Sequence, residues 1–427
     1  MIKSIYYKIK ECRICKSRKL KIIIDLNNQY IQGSFIKKNY PKPYLKKIPL
    51  KLVLCQKCSL VQLLHTTNKE ILYKNYWYES GINKTMRIHL KDLVSNLCSI
   101  KKPKIKKIKV LDIGCNDGTL LNFYPKTVEK FGIDPSQITK KIDKKKITVI
   151  KDFFPPQKKN LKNLKIKFDL ITSIAMFYDL DNPNLFVKNI KHYLNDNGIW
   201  VFELSYLLDM IKLNSFDTIC HEHIEYYSLR SLNYLMQSHG LKIFKVKKNK
   251  SNGGSIRCFI THDKTTTYDK KINLTYFNKL LINEKKLKIQ NTKIYEEFFS
   301  NVSKIKIKLN KIIKEIKKRN ESIYILGAST KGNTILQFLN IDNKTIPYAI
   351  ERNKEKFGAK TIGSNIQIVN ENIIKKNPPD YQLVLPWHFK KEIINREKNY
   401  LKNGGKLIFP LPTIQIITKK NFLKHVK

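Results

Sequence analysis

Two histidines, neighbouring acids, a cysteine and two tyrosines crowd into Phe216–Leu229, FDTICHEHIEYYSL. Histidine is the side chain best suited to general-base work near neutral pH, and a nearby carboxylate raises its basicity. In extended backbone His221 and His223 would share one face, with Glu222 pointing the other way. A metal site is the rival reading, but two histidines at i, i+2 need a third ligand, and the sequence offers no H-E-x-x-H partner. Histidines packed without a function are the third reading.

Cysteines form a second chemical set. Cys12 and Cys15, then Cys55 and Cys58, make C-x-x-C twice with 39 residues between the pairs. Four thiolates at that spacing suit a tetrahedral zinc ion. A full cysteine shell leaves no open position, so the expected metal is structural. The third set lies in Val110–Leu121, VLDIGCNDGTLL, with FGIDPS at Phe131–Ser136. An apolar run enters a turn at Gly114, Asn116 and Gly118 ahead of a helix-like segment, and the next apolar run ends in Asp134. A glycine lets the backbone approach a ligand closely, and a helix N-terminus points at it. An acid at the end of the following strand can hold two ribose hydroxyls. The pattern is not G-x-G-x-x-G, so a pyrophosphate-binding NAD site is the poorer reading.

Alternating apolar runs supply the scaffold for these residues. Strands are expected at Val110–Ile113, Lys130–Ile133, Ile147–Ile150, Phe168–Met176 and Gly198–Leu204, with a helix at Asn182–Asn195; such alternation implies a parallel sheet. The third of these strands ends near Asp152 and Phe153. A tyrosine-rich connector, Tyr73–Met86, and a basic helical segment, Arg87–Ile100, come before the first strand. Lys264–Asn320 has helical apolar spacing. Beyond it, Ser322–Leu326, the turn GASTKG (Gly327–Gly332) and NTILQFL again read strand, glycine turn, helix. The amides of such a turn suit an anion, with Ser329, Thr330 and Lys331 as candidate contacts. Further strands are expected at Pro347–Ile350, Tyr381–Leu385 and Lys406–Pro410. The expected fold class is α/β: a Rossmann-like domain flanked by a small N-terminal zinc module and a C-terminal Rossmann-like unit.

A chain of 427 residues has room for two or three domains. Lysines interrupt every apolar run before it reaches membrane-spanning length, and the N-terminus lacks the apolar stretch of a signal peptide. A cytoplasmic enzyme is expected. The formal charge of +49 comes from 75 lysines and only eight arginines, with the lysines spread along the chain. Nucleic-acid readers concentrate arginine on one face, because its fork pairs bidentately with guanine or phosphate. A zinc-ribbon nucleic-acid-binding protein is therefore the weaker alternative, and neither nucleic acid nor membrane is an expected partner. The positive field still favours an anionic substrate such as a nucleotide diphosphate.

The D-x-G-C-x-x-G form of Asp112–Gly118 resembles motif I of the class I S-adenosylmethionine (SAM)-dependent methyltransferases. That resemblance places Gly114 under the amino-acid part of SAM and Asp134 on its ribose. Asp112, Asn116 and Gly118 join them as cofactor residues, with Asp152 and Phe153 near adenine. In chain order, the four cysteines, this motif, HEHIEYYSL, SNGGSIRCFI (Ser251–Ile260), GASTKGNTILQ (Gly327–Gln337) and LPWHFKKEI (Leu385–Ile393) cover nearly the whole sequence. Together they resemble the three-domain sugar C-methyltransferases, which methylate C-3 of nucleotide-linked 4-keto-deoxysugars. The resemblance implies a zinc-binding domain at 1–72, a SAM domain at 73–255 and a C-terminal Rossmann-like domain at 256–427, with the nucleotide sugar held between them.

It also implies a catalytic pair, His223 with Glu222. The 4-keto group acidifies the hydrogen at C-3, a base removes it, and the enolate carbon attacks the sulfonium methyl in line while donors hold the oxyanion. Tyr76, Tyr78, Tyr178, Ser329 and Lys331 are the expected substrate contacts. Many members carry Y-H-E-H where this chain has Cys220, and a thiol is a poor donor. Tyr226, Tyr227, Tyr76 or Tyr78 would then supply the phenol. The expected product feeds a surface polysaccharide or a glycosylated compound. An O- or N-methyltransferase of a sugar or small metabolite is the alternative; it needs no carbon base, so the HEH segment would be incidental.

Overall fold

The computed structural model describes residues 5–73, 79–82, 84–102, 108–156, 166–269 and 274–425. Tyr76 and Tyr78 lie outside the described residues. In the N-terminal module, strands Leu20–Gln29, Ile48–Cys55 and Val61–Leu63 pair antiparallel. Each C-x-x-C knuckle closes on a left-handed residue, Lys16 (φ 59°) or Ser59 (φ 62°). The amides of these residues return to the carbonyls of Cys12 and Cys55, at 3.1 and 3.0 Å, which turns both cysteines of a pair toward one point.

The central sheet has seven strands, in the order Leu241–Asn249, Ser255–His262, Leu194–Ser205, Phe168–Ile174, Lys109–Ile113, Glu129–Ile133, Thr148–Ile150. The last five are mutually parallel, and Ser255–His262 runs antiparallel beside Leu194–Ser205. Val110, Leu111 and Ile113 are all buried, as a strand covered on both faces requires. The chain crosses one way from Lys109–Ile113 to Glu129–Ile133 and the other way to Phe168–Ile174. That reversal opens a crevice at the carboxyl ends of these strands, directly over the Gly114–Gly118 turn.

An eight-stranded sheet forms the C-terminal part, with Lys406–Phe409, Tyr381–Val384, Ile323–Leu326, Tyr348–Glu351 and Gln367–Asn370 parallel at its centre. Leading into it is the 26-residue helix Lys293–Lys318, which buries Tyr295, Phe298, Val302, Ile305, Leu309, Ile313 and Ile316. The spacing of three and four residues makes one apolar stripe and leaves the lysines outside.

The three parts exchange strands. Phe35–Ile36 of the N-terminal module pairs with Lys360–Thr361 at the edge of the C-terminal sheet. Glu225–Tyr226, just after the HEH segment, pairs with Val61–Leu63 of the N-terminal sheet. One apolar core runs through all of these, from Leu50 and Leu52 past Phe216, Ile219 and Ile224 to Ile335 and Leu383. The division expected at 255/256 falls within the Ser255–His262 strand of the central sheet, after its first residue; the sheet itself closes after His262. Among the described residues no helix is long and apolar enough to cross a membrane.

Candidate active site

The four sulfurs of Cys12, Cys15, Cys55 and Cys58 lie within 4.8 Å of one another, with Cys12–Cys58 at 3.5 Å and Cys15–Cys55 at 3.4 Å. Thiolates held about 2.3 Å from a shared zinc ion stand at such separations, so the quartet fits that metal and offers it no open position. From the first knuckle, the buried Arg13 reaches the Gln62 side chain, the Leu63 carbonyl and the Thr66 hydroxyl. Its Nε lies 3.8 Å from Glu225. The metal site is therefore tied to the strand that follows His223.

At the crevice, Gly114 has φ 74°, and a Cβ there would press on Met176 at 3.1 Å. Asp134 accepts from the Asn116 amide (3.0 Å) and the Ser136 amide (2.8 Å), which fixes its carboxylate at the end of its strand. Asp112 accepts from Thr172 at 2.6 Å, and burial pushes its carboxyl up to about 7. These residues line one cavity with Asp152 and Phe153. Glycine cradle, strand-end acid and aromatic ring suit the amino-acid, ribose and adenine parts of SAM. Gly118 is the exception among the expected cofactor residues. It stands behind the wall, where its left-handed φ of 75° starts the Thr119–Asn122 helix and it packs on Ile142.

The HEH segment is a turn rather than an extended strand, and the orientations expected from alternation do not hold. The His223 amide bonds back to Cys220. His221 turns away from the cavity: Nδ1 lies 2.9 Å from Gln32 Oε1 and Nε2 3.2 Å from the Ile48 carbonyl. Burial holds its imidazole down to about 4. Glu222 and His223 both line the cavity. His223 packs on Tyr178 at 4.3 Å and its Nδ1 meets the Thr218 carbonyl at 3.0 Å. A carbonyl only accepts, so Nδ1 carries the proton and Nε2 is left as the acceptor. Burial and the charge of Lys331 push His223 down to about 3, while burial raises Glu222 to about 7.

All three parts of the chain grip this turn. Gln32 accepts from the His221 amide (3.1 Å), the Asn333 side chain donates to the Gln32 carbonyl (2.8 Å), and Trp387 donates to Asp217 (2.9 Å). Gly33 lies so close to Glu222 that a Cβ on it would fall 1.7 Å from the carboxylate Oε1. Sequence reasoning missed Gln32 and Gly33, which belong to no local motif. The phenols of Tyr226 and Tyr227 do not replace the one absent at Cys220. Tyr226 packs in the core with its hydroxyl toward the Thr218 carbonyl (3.5 Å), and Tyr227 stacks on Phe177 at 5.3 Å. Neither lines the cavity, and neither does Cys220.

The same cavity, about 1180 Å³, ends against Ser329, Thr330, Lys331, Asn353, Lys356 and His388 of the C-terminal part. Ser329 caps the Thr330–Leu339 helix through the Gly332 amide. Lys356 donates to the Ala328 carbonyl at 2.7 Å and sits 4.5 Å over the Phe35 ring. Trp387 and the Gly253-Gly254 turn pack against each other outside the cavity wall.

Three sequence families match in chain order: a zinc binding domain at residues 12–73, a methyltransferase domain at 83–246 and a C-methyltransferase C-terminal domain at 250–412. The C-methyltransferase NovU of Streptomyces niveus is 25% identical over 421 residues, which is 97% of this chain and 98% of that protein. Similar solved structures include a SAM-dependent methyltransferase from Clostridium acetobutylicum (13% identity, 40% of this chain and 90% of that one, TM-score 0.32). Another is magnesium protoporphyrin IX methyltransferase from Synechocystis PCC 6803 with bound S-adenosylhomocysteine (11% identity, 42% of this chain and 88% of that one, TM-score 0.33).

Proposed function

Given that this chain belongs to the three-domain SAM-dependent C-methyltransferases, we propose that it methylates C-3 of a nucleotide-linked 4-keto-deoxysugar. One observation carries the reading. A single cavity is lined by Gly114 and Asp134 of the central sheet, by Glu222 and His223, and by Ser329 and Lys331 of the C-terminal part. Its volume exceeds what one drug-sized ligand fills, leaving space for a methyl donor and a second, anionic molecule.

When bound, SAM supplies the electrophilic methyl group. Asp134 holds the ribose hydroxyls, Gly114 lets the backbone approach the amino-acid part, and Phe153 with Asp152 flanks the adenine. Ser329, Lys331 and the N-terminus of the Thr330–Leu339 helix hold the diphosphate, and Tyr178 packs on the sugar. His223 Nε2 takes the C-3 proton. In the free protein burial, and after it the charge of Lys331, depress that basicity; a diphosphate beside Lys331 offsets the second of these causes. Substrate binding thus raises the basicity of its own base. Glu222, its carboxyl raised by burial to about 7, lines the same cavity and can exchange a proton there near neutral pH. Tyr76 and Tyr78 are assigned to the sugar or its enolate.

In this reading the substrate is a sugar nucleotide, nucleic acid and membrane are not partners, the enzyme works in the cytoplasm, and its product enters a polysaccharide or glycosylated compound. The domains are assigned as 1–72, 73–262 and 263–427, moving the second boundary past the last central strand. The test is incubation with SAM and a panel of nucleotide 4-keto-deoxysugars in D2O. Deuterium entering C-3 of the recovered, unmethylated sugar and a methyl group gained at carbon in the product are expected. Methylation at oxygen or nitrogen without C-3 exchange would contradict it.

A further inference from the structure

Asp179 ends the short turn Phe177–Asp179 after the Phe168–Ile174 strand, at the carboxyl edge where a doubly wound sheet gathers ligand-facing side chains. It lines the cavity with Glu222 and Tyr73. Its Oδ1 is sealed from solvent and meets no hydrogen-bond partner, a costly state for an ionised carboxylate, while the side chain as a whole stays part-exposed at the cavity. Glu222 is the charged neighbour acting on it most strongly; Glu225 acts less, and the Tyr73 phenol faces it from the Lys69–Tyr73 helix. Among the described residues, the Cys220 thiol and the Tyr226 phenol are further titratable groups close enough to interact with it.

Two neighbouring buried carboxyls do not both ionise readily, and they share protons as a pair. Burial, then Glu222, hold the Asp179 carboxyl well above the usual range against the lowering contact of the Tyr73 phenol, and burial raises Glu222 to about 7. The pair therefore keeps a proton at a pH where separate, solvated carboxyls have lost theirs. A neutral carboxylic acid facing a reacting oxygen is a strong oxyanion donor.

We propose that Asp179 is a further catalytic group of this site, whose carboxyl donates a hydrogen bond to the keto oxygen next to the methylated carbon. The proposal rests on the 4-keto substrate reading. As the C-3–H bond breaks, its proton passes to His223 and its electron pair forms the enolate double bond, placing the charge on the C-4 oxygen that Asp179 faces. The enolate carbon then bonds to the methyl carbon. The methyl–sulfur bond breaks with its pair left on sulfur, and the ketone re-forms while Asp179 keeps its proton. The site gains a donor that Cys220, Tyr226 and Tyr227 do not provide.

The experiment compares wild type, Asp179→Asn and Asp179→Ala with SAM and a nucleotide 4-keto-deoxysugar. It reads kcat, KM and C-3 exchange across pH, with SAM affinity by calorimetry as the check on folding. Asp179→Ala is expected to lower kcat about 10²–10³-fold with SAM affinity unchanged. Asp179→Asn keeps a donor and is expected to stay within about tenfold of wild type. It should also lose the alkaline fall in kcat that ionisation of Asp179 causes. Wild-type kcat in Asp179→Ala overturns the proposal, and so does an Asn variant as slow as the Ala variant while still binding SAM. If the wild-type protein itself neither exchanges nor methylates any 4-keto sugar, the substrate reading has failed and this proposal falls with it.

Discussion

A methyl group on residue 33 has no room. The Cβ of Gly33→Ala would sit 1.7 Å from Glu222 Oε1 and 2.9 Å from its carboxyl carbon, where ordinary contact begins at 3.4 Å. The Gly33 backbone is tied down by its neighbours: Gln32 accepts from His221, and Phe35 is paired in the C-terminal sheet. The carboxylate is the part that yields, by roughly 1.5–2 Å. A displacement near 1 Å in a catalytic group costs on the order of 10²-fold in rate, so kcat is expected to fall about 10²-fold. Repacking at this buried contact should cost about 1–3 kcal/mol of stability. SAM affinity should hold, because Gly114 and Asp134 are untouched. The assay is steady-state methyl transfer with calorimetric SAM binding, run for Gly33→Ala, Glu222→Ala and the double variant. If the glycine acts by leaving room for Glu222, adding Gly33→Ala to Glu222→Ala costs no further rate. Additive losses, or full kcat in Gly33→Ala, would refute this reasoning.

Other outcomes follow from the same geometry. Cys58→Ser, or chelation of the metal, should release zinc, lower Tm and abolish turnover, because Arg13 links the knuckle to Glu225 beyond His223; metal content, melting and activity measured together check this. Asp134→Ala should weaken SAM binding by about 10–100-fold, since it removes charged hydrogen bonds to the ribose, read by calorimetry. His221 titrates near 4 in the folded protein against 6.5 when free. The unfolded chain therefore binds the extra proton, and stability is complete above pH 6.5 and falls as pH drops toward 4. His221→Gln should flatten that acid slope by about one proton in urea titrations. A matching slope in the variant would place the acid sensitivity elsewhere.

Local chemistry was legible in the sequence. The C-x-x-C pairs announce the metal because each knuckle positions its own two sulfurs, and VLDIGC announces the cofactor crevice because strand, turn and acid lie within one βαβ unit. The HEH turn was legible only as composition. Its geometry is set by Gln32, 189 residues before His221, and by Asn333 and Trp387 far downstream. Period-two reasoning assumed an extended strand, so it paired His221 with His223 and turned Glu222 away. Gly33 looks like an ordinary loop glycine until Glu222 is placed against it, and Asp179 gains its chemistry only from burial beside a second carboxyl. The two-residue strand Phe35–Ile36 is too short to leave any periodicity. Nothing local marks it as the edge that joins the N-terminal module to the C-terminal sheet.

The most direct measurement follows the methyl carbon itself. With SAM labelled with ¹³C in its methyl group and a nucleotide 4-keto-deoxysugar, the product NMR spectrum is expected to show the label bonded to C-3, with the wild-type rate lost in His223→Ala. A label bonded to oxygen or nitrogen, or full turnover without His223, would contradict carbon methylation from this cavity.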